Sequence, residues 1–131
     1  MVKLVFWLTT YQFSLSFAQL TVPVNLPTTW SSEGCWVDVP GRTIGAAGYA
    51  DAINMTIESC INYCGTRSFA YAGVEYSIEC YCGNTLAPVA AQAAATECSM
   101  ACSGDTTQLV STQSERTSPF IPFHLVLGVL R

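Results

Sequence analysis

The spacing of seven cysteines constrains the fold of this 131-residue chain more than any other feature. Cys60 and Cys64 stand four residues apart in a segment with helical apolar periodicity, so both thiols project from one helix face. Cys80 and Cys82 stand two apart in a run that favours a strand, so both project from one sheet face. Two disulfides between this helix and this strand satisfy both spacings. Because seven is odd, one thiol is left over.

The first 18 residues have the pattern of a secretory signal peptide. Lys3 precedes an apolar stretch, and Ser16 and Ala18 supply the small residues expected before a cleavage site. The stretch is too short and too interrupted by polar residues for a membrane span. We therefore expect an extracellular location, secreted or associated with the cell wall, where disulfides are the default state of cysteine.

The remainder of the chain has the length of one small domain. The formal net charge of the full chain, −4, argues against nucleic acid or an anionic membrane as partner, because both require a basic face. Residues 54–65 predict a helix with Asn54 or Thr56 as its cap, and residues 69–76 and 79–84 predict a hairpin. Residues 19–33 read as a linker, and residues 86–97 fit a loop or a helix.

A series of motifs runs through residues 34–105: GCWVD, GRTI, MTIESC, CINYC, YAGVEYSIECYCGN and ECSMACSG. This series resembles the WSC domain, a family named for yeast cell-wall integrity sensors. The resemblance implies an α+β, disulfide-rich, PAN/apple-like fold, in which an antiparallel sheet packs on one or two short helices. It also implies three disulfide pairs: Cys35–Cys98, Cys60–Cys80 and Cys64–Cys82. The last two are the bridges between helix and strand that the spacing favours.

The chain departs from the family pattern after Asp105. The family's eighth cysteine and final strand are missing or replaced there, so we expect Cys102 to be unpaired and residues 106–131 to form a divergent, disordered tail. A truncated or mis-spliced gene model would explain the departure. A genuine free thiol that forms a disulfide dimer through Cys102 is the alternative.

Catalytic chemistry finds little support in these residues. The only histidine is His124 in the divergent tail, so a nucleophile inside the domain would have no histidine base. Zinc ligation by the cysteines is disfavoured by secretion and by their complementary spacing. Glu75 and Glu79 are interpreted as ordinary polar or binding residues rather than a glycosidase pair. We expect no enzymatic activity, no cofactor and no metal.

Tyrosine and tryptophan combine an apolar ring face with a polar edge, which suits the C–H face and the hydroxyls of a sugar. The candidate carbohydrate-binding residues are Tyr49, Asp51, Tyr76 and Asn84. The resemblance implies a secreted, non-catalytic module that binds a cell-wall polysaccharide such as β-1,3-glucan, with xylan or chitin as other glycans. The alternatives are the ectodomain of a cell-wall stress sensor and an accessory module of a larger secreted enzyme.

The tripeptide Asn54-Met55-Thr56 is an N-glycosylation sequon in a chain that we expect to be secreted. It falls at the predicted start of the helix, which favours exposure of Asn54. Asn54 is therefore a candidate glycosylation site.

Overall fold

The computed structural model describes residues 22–110 and the backbone of residues 124–130. The strands are β1 (Ser31–Asp38), β2 (Ala47–Ala50), β3 (Tyr71–Glu75), β4 (Glu79–Gly83), β5 (Met100–Ala101), β6 (Leu109–Val110) and β7 (His124–Leu130). The helix α1 spans Ile57–Gly65, and a 3-10 turn spans Ala95–Glu97. An antiparallel sheet has the strand order β1-β7-β3-β4-β2, and β5 pairs with β6 separately. The predicted α+β, disulfide-rich fold class is confirmed.

Helix α1 begins where its sequence supplies a cap. The Thr56 hydroxyl accepts from the backbone N–H of Ser59 at 3.0 Å, and the Ser59 hydroxyl accepts from the Thr56 N–H at 3.0 Å. These reciprocal bonds satisfy two N–H groups that a helix start leaves open. Of the two predicted caps, the structure uses Thr56, and the helix starts three residues later than the predicted segment. Its buried positions are Ile57, Cys60, Ile61 and Cys64.

Three disulfides connect these elements. Cys60–Cys80 and Cys64–Cys82 join α1 to β4, and Cys35–Cys98 joins β1 to the segment before β5. The same pairs were implied by the family resemblance. The main core forms between α1 and the sheet, and a second, smaller cluster surrounds Cys35 and Cys98.

Cys102 is free and buried, with 1% of its surface exposed. Burial raises the pKa of its thiol to about 12, and the nearby carboxylates of Asp105 and Glu58 act in the same direction. A disulfide to a second chain would therefore require this part of the domain to open first.

The ordered domain begins earlier than residue 34. Trp30, in the predicted linker, is only 9% exposed and packs in the main core, and β1 starts at Ser31. The predicted linker, residues 19–33, is therefore wrong at its C-terminal end. Its prolines and hydroxyl residues come before Trp30, whose apolar side chain joins the core. The predicted signal peptide, residues 1–18, lies outside the described residues.

The C-terminal region also differs from the expected disorder. Leu109–Val110 form β6, and His124–Leu130 form β7, which pairs with both β1 and β3. The sequence HLVLGVL is apolar at nearly every position, which is typical of a strand with a neighbour on either side. In register, Gly128 lies beside both Gly34 and Gly73. Strand β7 thus occupies an interior position of the sheet, between β1 and β3.

Candidate functional site

The face of the sheet opposite α1 carries a polar cluster centred on Tyr81. Successive side chains of β4 alternate, so Cys80 and Cys82 face α1 while Glu79 and Tyr81 face away from it. In the ladder, Tyr81 lies between Gly48 of β2 and Gly73 of β3. Because both neighbours lack side chains, the phenol ring has room to lie against the sheet.

Arg42 closes over this ring from the loop that follows β1. Its guanidinium carbon is 4.1 Å from the Tyr81 ring centroid, and Nη2 donates to the Tyr81 hydroxyl at 2.6 Å. Nη1 donates to carboxylate oxygens of Asp38 at 3.1 Å and Glu75 at 2.6 Å. The Tyr81 hydroxyl in turn donates to Glu79 Oε2 at 2.7 Å. The five side chains form one connected network, which we call the Arg42 network.

The backbone of Arg42 is held in an unusual conformation. Its φ is 75°, in the left-handed region that costs a residue with a side chain about 1–3 kcal/mol. Two hydrogen bonds fix it: Arg42 N donates to Val39 O at 2.8 Å, and Thr43 N donates to Asp38 Oδ1 at 2.6 Å. Strain of this kind is concentrated at functional sites in proteins, where surrounding structure maintains it.

Burial sets the protonation behaviour of the network. Glu75 has no exposed surface, and this desolvation, followed by the charge of Asp38, raises its pKa to about 8 against the lowering effect of Arg42. Burial and the hydrogen bond to Glu79 raise the pKa of Tyr81, so its hydroxyl remains a donor. Partial burial lowers the pKa of Arg42, but the surrounding carboxylates raise it more, so the guanidinium stays charged.

A groove lies between the Arg42 network and the free edge of the sheet. Its volume is about 460 Å³, and we call it the β2–β4 groove. Its lining residues are Arg42, Gly45, Ala47, Gly48, Tyr49, Ala50, Glu79 and Tyr81. A Cβ at Gly48 would lie 2.6 Å from the carbonyl oxygen of Cys80 and 3.1 Å from Tyr81 Cδ1, so only glycine fits there. The groove therefore combines a small-residue floor with polar groups along one wall.

Two tyrosine rings pack between β2 and α1, on the other face of the sheet from Tyr81. The ring centroids of Tyr49 and Tyr63 are 4.4 Å apart, and the guanidinium of Arg67 lies 3.7 Å from the Tyr63 centroid. The Tyr49 hydroxyl also lies 3.2 Å from the Ser59 hydroxyl of α1. Both tyrosines are half-buried, so each ring supports the domain and leaves part of its surface accessible.

The four predicted binding residues do not form one platform. Tyr49 lines the groove, and Asp51 follows one residue after β2, where its carboxylate accepts from the N–H groups of Ile53 and Asn54. These two bonds lower the pKa of Asp51. Tyr76 lies in the β3–β4 turn, close to Asp51 because Asp51 N donates to Ile78 O at 2.8 Å. Asn84 lies at the opposite end of the hairpin, where its side chain accepts from Ala70 N at 2.9 Å.

Sequence reasoning missed Arg42 and its contacts with Asp38 and Glu75. Arg42 was visible only as part of the GRTI motif, and no local pattern indicates that its side chain crosses to β3 and β4. Tyr81 lies between Cys80 and Cys82 in the sequence, so strand alternation alone places it on the face away from the cysteines, where its hydroxyl meets Arg42. The signal available in the sequence is the pair of nearby carboxylates Glu75 and Glu79, which favours an arginine close to the hairpin.

The sulfur atoms of Cys60, Cys64 and Cys80 lie within 4.8 Å of one another, as metal ligands would. All three belong to disulfides, so they offer no thiolate to a metal ion. In the ranges 22–110 and 124–130, no helix has the length and apolarity needed to cross a membrane.

The sequence of the chain matches one protein family and several known proteins. The WSC domain model matches residues 32–112. A WSC domain-containing protein of Arthroderma benhamiae is 43% identical over 85 residues, which cover 64% of this chain and 9% of that protein. A putative fungistatic metabolite of Chaetomium globosum is 36% identical over 102 residues, 71% of this chain and 46% of that protein. Human Kremen protein 1 is 38% identical over 79 residues, 57% of this chain and 16% of that protein.

The chain thus spans less than half the length of each of these relatives. The matched region contains all seven cysteines, helix α1 and every residue of the Arg42 network. The chain belongs to the WSC domain family.

Proposed function

We propose that the chain is an extracellular, non-catalytic module that binds a neutral cell-wall polysaccharide such as β-1,3-glucan in the β2–β4 groove. The observation that carries the proposal is the open groove itself, in which Arg42, Glu79 and Tyr81 present polar groups above a lining of glycine and alanine residues. The side chain of Arg42 is 37% exposed although it makes two ion pairs, so part of it remains accessible to solvent.

The chemistry of these groups suits a sugar. A guanidinium donates several hydrogen bonds from one plane, and a carboxylate accepts several, so together they fit the hydroxyls of a pyranose ring. The glycine and alanine residues of the groove lining offer an apolar surface to the C–H groups of the sugar. The groove is shallow and open, so binding through one sugar unit is expected to be weak, and repetition along a polymer would strengthen it.

The arrangement of carboxylates favours binding over hydrolysis. A glycosidase requires two carboxyl groups that both reach the glycosidic bond. Here Glu75 is completely buried and bound to Arg42, so substrate has no access to it, and only Glu79 lines the groove. Hence we propose a role without catalysis.

Sedimentation with insoluble polysaccharide tests the proposal. The secreted full-length protein is mixed with insoluble β-1,3-glucan, xylan or chitin, and bound and free protein are measured over a range of polymer concentrations. We expect retention on glucan that is unaffected by a metal chelator. The proposed function would be refuted if the folded protein were retained on none of the three polymers.

Two substitutions locate the site. Tyr81→Phe removes the hydroxyl that joins Arg42 to Glu79, and Glu79→Gln removes a charge from the groove. Each disturbs hydrogen bonds involving a charged group, worth about 1.5–3 kcal/mol, so we expect affinity to fall about tenfold or more. Tyr71→Phe and Glu33→Gln make the same chemical changes outside the groove lining and are expected to bind normally. Loss of binding in Tyr76→Ala, with normal binding by Tyr81→Phe, would move the site to the β3–β4 turn.

A second candidate function is the ectodomain of a larger protein, such as a stress sensor. It is favoured by the small share of its relatives that the chain covers, which is 9% for the Arthroderma benhamiae protein. Transcript sequence beyond the codon for Asp105 distinguishes the two. A long Ser/Thr-rich segment followed by an apolar stretch of about 20 residues would support the sensor.

A further inference from the structure

Asn54 lies on the surface in the loop between β2 and α1, and its backbone is fixed although its side chain is exposed. Its N–H donates to Asp51 Oδ1 at 2.8 Å. Its side-chain Nδ2 is 3.5 Å from Asp51 Oδ2, at the limit of a hydrogen bond. The side-chain amide of Asn54 is therefore exposed and makes only a long contact with Asp51.

The other two residues of the sequon are held inside the fold. Met55 has no exposed surface, its N–H donates to Ser103 Oγ at 3.1 Å, and its carbonyl accepts from Gly104 N at 2.8 Å. The Thr56 hydroxyl, which defines the sequon, is engaged with Ser59 N as the helix cap. Gly104 packs so closely that a Cβ there would lie 2.6 Å from the carbonyl carbon of Asn54.

We propose that Asn54 carries an N-linked glycan that is attached before Ser103 and Gly104 pack against the sequon. In the transfer, Nδ2 of Asn54 forms a bond to the anomeric carbon of a lipid-diphosphate-linked oligosaccharide. The bond from that carbon to the diphosphate breaks, the lipid diphosphate leaves, and the amide nitrogen loses one proton. The transferase must take the tripeptide into its own cleft, which the buried Met55 and the bonded Thr56 hydroxyl prevent in the folded domain.

The order of synthesis provides the required interval. Ser103 lies 48 residues after Met55, so the hydrogen bond between Met55 N and Ser103 Oγ cannot form until those residues have been synthesised. At about 5–20 residues per second this takes about 2–10 s. During this interval the sequon is an unfolded segment with a free threonine hydroxyl. Glycosylation therefore competes with folding, and the glycan stays compatible with the folded state because Asn54 remains exposed.

The surroundings of Asn54 suit a bound glycan. The adjacent Ile53 is 74% exposed, and the first sugars would cover its apolar surface. Ala50, which lines the β2–β4 groove, is four residues before Asn54, so the glycan would stand near one end of that groove. The proposal concerns modification of the chain and does not depend on polysaccharide binding by the groove.

Expression of the full chain in a mammalian secretory host tests attachment. We expect wild type to lose mass on treatment with an endoglycosidase specific for N-linked glycans. Thr56→Ser keeps both the sequon and a capping hydroxyl and is expected to behave as wild type, whereas Asn54→Gln is expected to show no shift. Secreted wild-type protein without a glycan, or a shift that persists in Asn54→Gln, would overturn the assignment.

A second experiment tests the order of events. Unglycosylated full-length protein is offered to purified oligosaccharyltransferase with its lipid-linked donor, either folded or after reduction and alkylation. We expect transfer to the reduced, unfolded chain and at least tenfold less to the folded chain. Equal transfer to both would disprove the requirement for an unfolded sequon, and no transfer to the unfolded chain would disprove the site itself.

Discussion

At the scale of residues, the protonation of Glu75 is coupled to folding, because this side chain is completely buried and faces Asp38, Arg42, Glu79 and Tyr81. Its pKa rises from an ordinary value of 4.5 to about 8 in the folded state, chiefly by desolvation. A carboxyl group whose folded pKa exceeds its unfolded pKa stabilises the fold when protonated. The stabilisation is complete below pH 4.5 and is lost as the pH rises through about 8.

The resulting prediction is a domain that is more stable in mildly acidic than in mildly alkaline solution. We expect the free energy of unfolding, measured with denaturant at intervals from pH 4.5 to 9, to fall by a few kcal/mol across this range. Glu75→Gln keeps the shape of the side chain without titrating, so it should flatten this dependence. Glu33→Gln makes the same substitution at a half-buried position outside the Arg42 network and is measured alongside as the control. An unchanged slope in Glu75→Gln would contradict the argument.

At the scale of elements, the β3–β4 hairpin turns through two residues with positive φ, Tyr76 at 51° and Ser77 at 65°. Positive φ at consecutive turn residues matches the twist of the strands but disfavours residues other than Gly, Asn and Asp. The carbonyl of Ser77 also accepts from Ser103 N at 3.0 Å, which joins this turn to the segment after β5. The backbone of the turn therefore stabilises the fold through a hydrogen bond, whereas the positive φ values of Tyr76 and Ser77 are unfavourable for residues with these side chains.

Ser77→Asn is expected to stabilise the domain, because asparagine tolerates the left-handed region and the backbone bond to Ser103 is kept. The expected gain is about 0.5 kcal/mol, measured as the shift of the denaturation midpoint at constant slope. Ser31→Asn, at an exposed position of β1 without positive φ, is the matched control and should be neutral or slightly destabilising. A midpoint that falls in Ser77→Asn would show that the serine side chain is itself required.

Local patterns explain which elements the sequence could predict. The stripe and cap of α1 and the alternation of β4 lie within a dozen residues, so α1 and the hairpin were predicted to within three residues at each end. The pairing of β1 with β7 joins residues about 90 positions apart, and no local periodicity reports it. The same limit applies to the site, since Arg42 reaches Glu75 and Tyr81 across 33 and 39 residues.

At the scale of the whole molecule, Cys35–Cys98 closes the longest disulfide loop, with a sequence separation of 63 against 20 for Cys60–Cys80. In the chain-entropy model these loops contribute about 4 and about 3 kcal/mol, because a longer loop restricts the unfolded chain more. Cys35–Cys98 also lies in its own small cluster with Val37 and Ala93, outside the main core. Of the three disulfides, Cys35–Cys98 can be removed with least disturbance to α1 and the hairpin, because the other two join these elements directly.

We expect Cys35→Ala with Cys98→Ala to lower the free energy of unfolding by about 4 kcal/mol. The measurement is denaturant unfolding in a Cys102→Ala background, which prevents disulfide exchange with the free thiol. The background variant alone is the reference. Retained far-ultraviolet circular dichroism would show that the helix and hairpin persist. A loss below about 1 kcal/mol would mean that the bridge adds little beyond the packing around it.

The same bridge determines how the domain carries tension. A pull on the chain before Cys35 and after Cys98 passes through the sulfur–sulfur bond, so the loop between them bears no load. That loop contains α1, the hairpin, the Arg42 network and the β2–β4 groove. About 20 nm of extended chain is thereby shielded. In a molecule stretched between two anchors, β5, β6 and β7 lie outside the loop and would extend, whereas the chain inside the loop would stay closed until the disulfide itself was reduced.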